Sequence, residues 1–312
     1  MMTDLPLDHV GTLLVAVDAG TFEAAARELH VTPSAVSQRV KALEQRMGRV
    51  LLVRSKPLRT TESGAAVVRF ARQLAWLQDS ARAELGLTGS GSAADADGSV
   101  SPDRGAPPVR ITLSIAVNSD SLSTWFPEVT KQFGPETGVC FRLHREDEDH
   151  TDKLLRAGLV MAAVTSSPKP VQGCTVRRLG SMRYRAAATR EFVRRWLPGG
   201  VTADALGAAP VVVFNEKDDM QDDFLRRFGT TGSGPRHFIP ATDAYMYAVE
   251  TGLGWGLIPD VQAARYGQVD LVELVPALPV DVPLFWQQWK LAPPLLTEVG
   301  EAAAEMMGRW LE

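Results

Sequence analysis

The chain of 312 residues has little cysteine and no spacing of residues that is typical of a metal site. Its two cysteines are Cys140 and Cys174, and no ligand-like cluster surrounds either. The five histidines, at positions 9, 30, 144, 150 and 237, are equally scattered. A disulfide framework is therefore excluded. We expect a reduced, cytoplasmic setting, two buried and unreactive thiols, and no bound metal.

Signatures of common enzymes are missing as well. The chain has no G-x-G-x-x-G, P-loop, H-E-x-x-H or nucleophile-elbow sequence. Its G-L-G-W-G stretch at 252–256 is better explained by close packing of a helix on a strand than by phosphate binding. We therefore expect no catalytic residues and no cofactor.

Long apolar runs are absent too. No stretch approaches the roughly 18–20 residues that a membrane helix needs. The first ten residues carry two acids and no Lys or Arg, which is unlike a signal peptide. We therefore expect no membrane partner. The 45% hydrophobic and 22% charged content is typical of a globular protein, and the length allows two or three domains.

Residues 20–48 have the pattern of two helices separated by a tight turn. Thr21 and Thr32 suit the N-caps, Pro33 suits the first position of the second helix, and Gly48 ends it. On that helix one face is apolar, with Val36, Val40, Leu43 and Met47. Another face carries Ser34, Ser37, Gln38 and Lys41, which suit base edges and phosphates in a major groove. On periodicity alone, an ordinary amphipathic helix is the better interpretation.

Local charge favours nucleic acid instead. Residues 31–60 contain seven Lys or Arg and one acid, Glu44, in a chain of net charge -4. After Gly48, R-V-L-L-V-R-S-K-P-L-R-T-T predicts a two-stranded wing with a basic turn, and the alternative is a solvated loop. The predicted DNA-binding residues are Thr32, Pro33, Ser34, Ser37, Gln38, Arg39, Lys41, Arg54, Lys56 and Arg59.

A long helical pattern covers 61–87. Its apolar residues alternate at three and four positions, as in a short coiled coil: Val67, Phe70, Leu74, Leu77 and Ala81. Packing on its own domain is one explanation. Dimerisation is the better one, because it would let two recognition helices read an inverted repeat in double-stranded DNA. Residues 88–108, rich in Gly, Ser, Ala, Asp and Pro, predict a flexible linker.

The remaining residues, 109–312, alternate strand and helix patterns. Strands at 109–117, C-F-R-L-H-R and L-V-M-A-A-V-T enclose helices, which predicts a parallel sheet. A second set includes strands at 184–188 and 210–214 and a helix at 220–228. We predict two α/β lobes, 109–168 with 276–312 and 169–275, and a ligand cleft between them. The predicted domains are 1–60, a linker helix 61–87, a flexible linker 88–108, and 109–312.

The N-terminal sequence F-E-A-A-A-R-E-L-H-V-T-P-S-A-V-S-Q-R-V-K-A-L-E, followed by R-V-L-L-V-R, resembles the winged helix-turn-helix of LysR-type transcriptional regulators. The resemblance extends over essentially the full chain. In the second half, V-N-S-D-S-L-S-T-W-F, E-D-E-D-H-T, N-E-K-D-D-M-Q-D-D-F and G-L-G-W-G-L-I-P are similar to the LysG/ArgP subgroup, which responds to basic amino acids.

This resemblance implies a multidomain protein: a winged helix-turn-helix, a long linker helix and a two-lobed α/β effector domain like a periplasmic binding protein. It further implies activation of a lysine or arginine exporter gene, contact with RNA polymerase, and assembly as a homodimer or homotetramer.

A free basic amino acid needs its carboxylate neutralised and its ammonium groups paired. Hydroxyls and backbone N–H groups after the first strand suit the carboxylate, and plain N-caps are the alternative: Asn118, Ser119 and Ser121. Acids after the second strand suit the cation, although a solvated acidic turn is the ordinary explanation: Glu146, Asp147 and Glu148. Candidates from the other lobe are Asp218, Thr242 and Asp243. We expect Trp125, Trp255, Trp286 and Trp289 to be core residues.

Other functions stay open at this point. A LysR-type regulator with a different small-molecule effector fits the same pattern. So does an effector-independent DNA-binding protein acting at replication or chromosome level. A transport solute-binding protein would share the C-terminal fold, but the basic N-terminal unit and the lack of an export signal disfavour it.

Overall fold

The computed structural model describes residues 5–84, 111–134, 137–145, 148–265 and 270–310. Its N-terminal part is a helical unit with a small wing. Thr21 and Thr32 cap their helices by accepting from Ala24 N at 3.1 Å and Ala35 N at 3.2 Å, as predicted. Gly48 ends the recognition helix with a left-handed φ of 64°. The elements are α1 Leu7–Asp18, α2 Phe22–Glu28, α3 Pro33–Met47, β1 Leu52–Val53, β2 Arg59–Thr60 and α4 Glu62–Glu84.

The wing is held to the helices by backbone groups. Glu44, the single acid of the basic segment, accepts from Leu51 N at 2.8 Å and Leu52 N at 3.2 Å. β1 and β2 then pair antiparallel, with Leu52 opposite Thr60. The predicted two-stranded wing is therefore confirmed, and its start is fixed to α3.

The apolar stripe of α4 is divided between two environments. Val67 is 5% exposed and packs with Leu13 and Leu43 in the N-terminal core, so at this position the alternative explanation, packing on its own domain, holds. Phe70 and Leu77 are 40% and 45% exposed and remain accessible to a second chain. α4 packs against α1, and this contact buries the first part of its apolar stripe. Residues 85–87 and the predicted linker 88–108 lie outside the described residues.

In the part of the chain that the structure describes, the C-terminal half is built on one mixed sheet of seven strands, in the order β10-β6-β11-β5-β3-β4 with β9 also on β6. Its strands are β3 Ile111–Val117, β4 Val139–Arg145, β5 Ala162–Thr165, β6 Cys174–Thr189, β9 Gly256–Pro259, β10 Leu271–Glu273 and β11 Val280–Trp289. The predicted parallel set is confirmed, since β3 pairs parallel with β4 and β5. A separate parallel pair consists of β7 Val211–Val213 and β8 Arg236–Phe238.

Two long antiparallel strands, β6 and β11, pass through both lobes. We predicted only a strand at 184–188, but β6 already begins at Cys174. Gly180 interrupts the local pattern, whereas the backbone continues because β11 pairs with it on both sides of an irregularity at Leu284/Phe285. The lobes are thus two ends of one curled sheet.

Helices cover both lobes. The first lobe carries α5 Ser119–Ser123, α6 Phe126–Lys131, α7 Glu148–Ala157 and α13 Pro294–Trp310. The second carries α8 Arg190–Trp196, α9 Ala203–Ala208, α10 Met220–Phe228, α11 Thr242–Glu250 and α12 Asp260–Arg265. The four tryptophans predicted for the core are all buried. No helix within the described ranges is both long and apolar enough to span a membrane.

The two cysteines differ from each other. Cys174 is buried, and its burial raises the pKa of the thiol to about 11, so it stays protonated at neutral pH. Cys140 is only half-buried, because it lies on β4 at the edge of the sheet. The prediction of two buried thiols is therefore correct for Cys174 only.

Candidate functional site

The first candidate surface is the polar side of α3 together with the wing. The α3 residues predicted to contact DNA are exposed or half-buried along one side of the helix: Thr32, Pro33, Ser34, Ser37, Gln38 and Lys41. The hydroxyls of Thr32 and Ser34 lie 2.9 Å apart. The wing adds three exposed cations, Arg54, Lys56 and Arg59. This surface offers hydroxyl, amide and cationic groups to a polyanion.

Arg39 is not part of that surface. Its guanidinium donates to Thr12 Oγ1 of α1 at 3.4 Å, and its side chain lines a groove between α1 and α4. The position is one helical step around from Gln38, which turns the side chain towards the neighbouring helices. The structure therefore does not bring Arg39 together with the other predicted DNA-binding residues.

The second candidate site is a cavity of about 770 Å³ between the lobes of the C-terminal domain. This volume suits a small molecule. Its walls come from the loop after β3, the two crossing strands, the β7–α10 connection and the start of α11. The lining residues with polar groups include Asn118, Ser119, Asp120, Tyr184, Asn215, Lys217, Asp218, Gln221, Thr242 and Tyr245.

Asp120 of the first lobe is the centre of the polar contacts. It accepts from Tyr184 Oη at 2.6 Å and from Thr242 Oγ1 at 3.3 Å. Ser119 Oγ lies 2.7 Å from Thr242 Oγ1, which closes the cluster. Tyr184 and Thr242 belong to the second lobe, so these bonds join the lobes across the cavity.

Burial raises the pKa of the Asp120 carboxyl. Hydrogen bonds from Tyr184 and Thr242 lower it in part, while the negative charge of Asp218 raises it further. A buried carboxylate near a second carboxylate gains from a bound cation, because the cation replaces lost solvation and relieves the repulsion. The cavity is thus suited to an ammonium or guanidinium group.

The second-lobe wall is held in place by its own hydrogen bonds. Asp218 accepts from Phe214 N and Met220 N, both at 3.1 Å, which fixes the turn before α10. Tyr245 Oη accepts from Leu257 N at 2.9 Å and from Gln221 Nε2 at 3.2 Å. Burial raises the pKa of Tyr245, so its phenol stays protonated and a donor at neutral pH.

Cations also reach the cavity wall. Lys217, Arg226 and Arg227 line it, and Arg226 pairs with Asp223 on the same helix. A ligand that carries both a carboxylate and a cationic side chain therefore meets groups of both signs. Such a distribution favours a zwitterion over a simple anion or cation.

The structure brings four of the predicted effector residues to this cavity: Asn118, Ser119, Asp218 and Thr242. Ser121 is not among them, because it is fully buried with its N–H donating to Asn118 Oδ1 at 3.1 Å. Asp243 is exposed in the first turn of α11 and does not line the cavity. Glu146 and Asp147 lie outside the described residues, and Glu148 is the first residue of α7.

Sequence reasoning missed the most central residue. Asp120 lies in the same N-S-D-S loop as the predicted serines. The prediction was that this loop binds the carboxylate of the ligand, which an acidic side chain would repel, so Asp120 was not included. An acid one residue beyond a strand-end serine was the available signal. Tyr184 and Tyr245 gave none, because they lie inside a strand and a helix pattern.

These two sites on one chain define a class of protein: a DNA-binding regulator with a ligand-binding domain. Comparison with known proteins agrees. Residues 7–65 match the bacterial regulatory helix-turn-helix protein, lysR family, and residues 108–308 match the LysR substrate binding domain. The chain belongs to the LysR family of bacterial transcriptional regulators.

Its relatives are similar along their whole length. The HTH-type transcriptional regulator LysG of Mycobacterium tuberculosis is 42% identical over 301 residues, 96% of this chain and 93% of that protein. The lysine export transcriptional regulatory protein LysG of Corynebacterium glutamicum is 40% identical over 306 residues, 97% of each chain. The structure of full-length C. glutamicum LysG with bound effector Arg is similar at TM-score 0.80 and 37% identity, covering 97% and 98%.

Proposed function

We propose that this regulator is switched by lysine, arginine or a related amino acid bound in the cavity between the lobes, and that it activates a gene for export of basic amino acids. The observation that carries the proposal is the carboxylate of Asp120, which belongs to the first lobe, accepts hydrogen bonds from Tyr184 and Thr242 of the second lobe, and faces a ligand-sized cavity. Similarity to LysG of C. glutamicum, solved with arginine, supports the same ligand class.

In the proposed complex the ligand's cationic group pairs with Asp120 and Asp218. Its carboxylate accepts hydrogen bonds from the hydroxyls of Ser119 and Thr242 and forms an ion pair with the ammonium group of Lys217. This ligand would replace direct bonds between the lobes with bonds through itself. The angle between the lobes then depends on the ligand, which is a population shift between two arrangements.

The rest of the proposal follows the family plan. The protein acts in the cytoplasm without catalysis, as a dimer or tetramer that binds an inverted repeat in double-stranded DNA and contacts RNA polymerase. Exposed Phe70 and Leu77 on α4 support pairing of two chains. The proposed boundaries remain 1–60, 61–87, 88–108 and 109–312, and limited proteolysis of the full chain should cut first within 88–108.

Footprinting with the full chain tests the ligand class. We expect arginine or lysine to change the pattern of protected bases on a duplex selected in vitro by the protein. An unchanged pattern with lysine, arginine and histidine would contradict a basic-amino-acid response. A response to another metabolite would support a different effector, and no response to any small molecule would support an effector-independent role.

The wing gives a salt-dependent prediction. Lys56→Ala should weaken DNA binding about equally for all sequences and reduce the slope of log K against log salt by about 1, because one phosphate contact is lost. Arg39→Ala is the matched control, since Arg39 faces α1, and its slope should equal that of the wild type. An unchanged slope in the Lys56 variant would place the wing away from DNA.

Ligand binding should also depend on pH. The pKa of Asp120 is raised above its ordinary value of 3.8, and only the ionised carboxylate pairs with a cation. Arginine affinity should therefore rise with pH as Asp120 ionises and then level off, with proton release on binding at the lower pH. Calorimetry between about pH 4.5 and pH 8, in buffers of different ionisation enthalpy, measures this. Affinity that falls as pH rises would contradict it.

A further inference from the structure

Arg72 on α4 contacts both the DNA-binding part and the effector domain. One arm of its guanidinium, Nη2, pairs with Asp18 at the end of α1 in the DNA-binding part. The other, Nη1, donates to Ala157 O at the end of α7 in the effector domain at 2.5 Å. The Arg72 side chain is only 15% exposed, whereas that of Asp18 is 50% exposed. We call Arg72, Asp18 and Ala157 the Arg72 junction.

The end of α7 is shaped to receive this helix. Carbonyl groups in the last turn of a helix lack partners within it and carry the negative end of the dipole, so an arginine stabilises them. Arg69, one turn before Arg72, donates to Arg156 O at 3.4 Å. Gly158 follows with a φ of 67°, and a Cβ there would lie 3.0 Å from Arg69 Cα. The backbones are therefore in close contact.

α4 is fixed on both sides of this junction. Val67, Val68 and Ala71 are buried in the core of the DNA-binding part. Trp76, one turn beyond Arg72, packs against the core of the effector domain. A displacement of the effector domain is thus opposed by one helix that also belongs to the DNA-binding core.

α7 links the junction to the ligand cavity. β3 and β4 are parallel, and Val117 is level with Arg145, so both strands end at the edge where Asn118 and Ser119 line the cavity. α7 begins just after β4, at Glu148, and packs on β3 and β5. Its other end, Ala157, meets Arg72. The helix therefore runs from the cavity edge to α4 as a rigid element about 15 Å long.

We propose that Arg72 is the positioning residue that couples the ligand cavity to the DNA-binding helices, by holding Asp18 and the end of α7 at the same time. The proposal rests on the proposed function only for the identity of the ligand. Because coupling between two sites is reciprocal, DNA must also act on α7 through this junction.

The test uses the full chain, a duplex selected in vitro with it, and arginine as the ligand. The quantity of interest is the ratio of DNA dissociation constants with and without saturating arginine. Arg72→Ala should bring this ratio to within about twofold of one, while the arginine dissociation constant changes by less than about threefold. A residue that only stabilised the fold would change melting temperature and leave the ratio in place.

Two further variants test the contact of Arg72 with α1 and distinguish Arg72 from its neighbour Arg69. Asp18→Ala removes the acceptor that holds Arg72 to α1 and leaves the bond to Ala157 O in place, so it should reduce the ratio in the same direction. This variant keeps the test decisive if the Arg72 variant folds poorly. Arg69→Ala is the matched control, because Arg69 contacts α7 without bridging to α1, and it should keep the wild-type ratio. A wild-type ratio in both the Arg72 and Asp18 variants, or an equal loss in the Arg69 variant, would overturn the role of Arg72.

Hydrogen exchange gives a readout that does not depend on the ligand. DNA alone should slow amide exchange in residues 154–161 of the wild type and not in the Arg72 variant. No change there in the wild type would overturn the proposal. If that change occurs while no basic amino acid binds, the ligand assignment fails and the junction stands.

Discussion

Asp120→Asn is expected to weaken arginine binding about 100-fold, or about 2.7 kcal/mol, because it removes the charge that pairs with the cationic group. The asparagine keeps one acceptor oxygen for Tyr184, and its NH2 group can donate to Thr242 Oγ1 in place of the bond that Thr242 donated, so the contacts between the lobes survive. The effect therefore reports the lost charge rather than a lost fold. Calorimetry with the full chain measures it.

The same substitution should leave the free protein as stable as the wild type or more stable. A carboxyl whose pKa is raised on folding favours its protonated form, so its contribution to stability is present at low pH and is lost as pH rises through the folded value. Asparagine remains neutral and avoids that loss. Thermal unfolding at neutral pH tests the sign.

Asp243→Asn is the matched control for this experiment. Asp243 is an acid one residue from Thr242, but it is exposed and does not line the cavity. Its variant should bind arginine as the wild type does. Wild-type arginine affinity in the Asp120 variant, or the same loss of arginine affinity in the Asp120 and Asp243 variants, would contradict a cation site at Asp120.

Gly64→Ala is expected to abolish specific DNA binding. A Cβ at Gly64 would lie 1.9 Å from Leu51 O, which is a buried backbone atom at the start of the wing. The same carbonyl accepts from Thr61 N at 3.0 Å, so α4 and the wing cannot separate without losing that bond. Overpacking of this kind costs about 3 kcal/mol, and the displaced strands carry Arg54, Lys56 and Arg59 away from α3.

The Gly64 substitution should affect DNA binding and leave arginine binding unchanged. Arginine affinity of the Gly64 variant should stay within about twofold of the wild type, because the cavity is distant from the wing. Gly11→Ala is the control, since Gly11 lies inside α1 and a Cβ there meets nothing within 4 Å. The free energy of unfolding of that variant should rise by about 0.5–1 kcal/mol, and its DNA affinity should equal that of the wild type. Normal DNA binding by the Gly64 variant would show that the wing tolerates the shift.

The amino-acid sequence by itself determined the DNA-binding part. Thr21, Thr32, Pro33 and Gly48 mark helix ends through bonds within one or two turns, so their effect is readable from neighbours in the chain. The polar side of α3 follows from helical periodicity in the same way. Arg39 was misplaced because its direction depends on Thr12 of another helix, which periodicity does not contain.

The ligand cavity was only partly accessible to such reasoning. Strand ends predicted Asn118, Ser119, Asp218 and Thr242, because parallel strands bring their carboxyl ends to one edge. The sequence did not indicate that Asp120 would meet Tyr184 and Thr242, which lie 64 and 122 positions away.

Only the tertiary structure decided how the parts are joined. β6 continues through Gly180 because β11 pairs with it, and Arg72 meets Ala157 across 85 positions of sequence. Such contacts depend on the packing of whole elements, and no local spacing specifies them. Local hydrogen bonds and periodicity therefore determined where this protein meets DNA, whereas long-range packing decided where a ligand binds and how its binding reaches the DNA-binding helices.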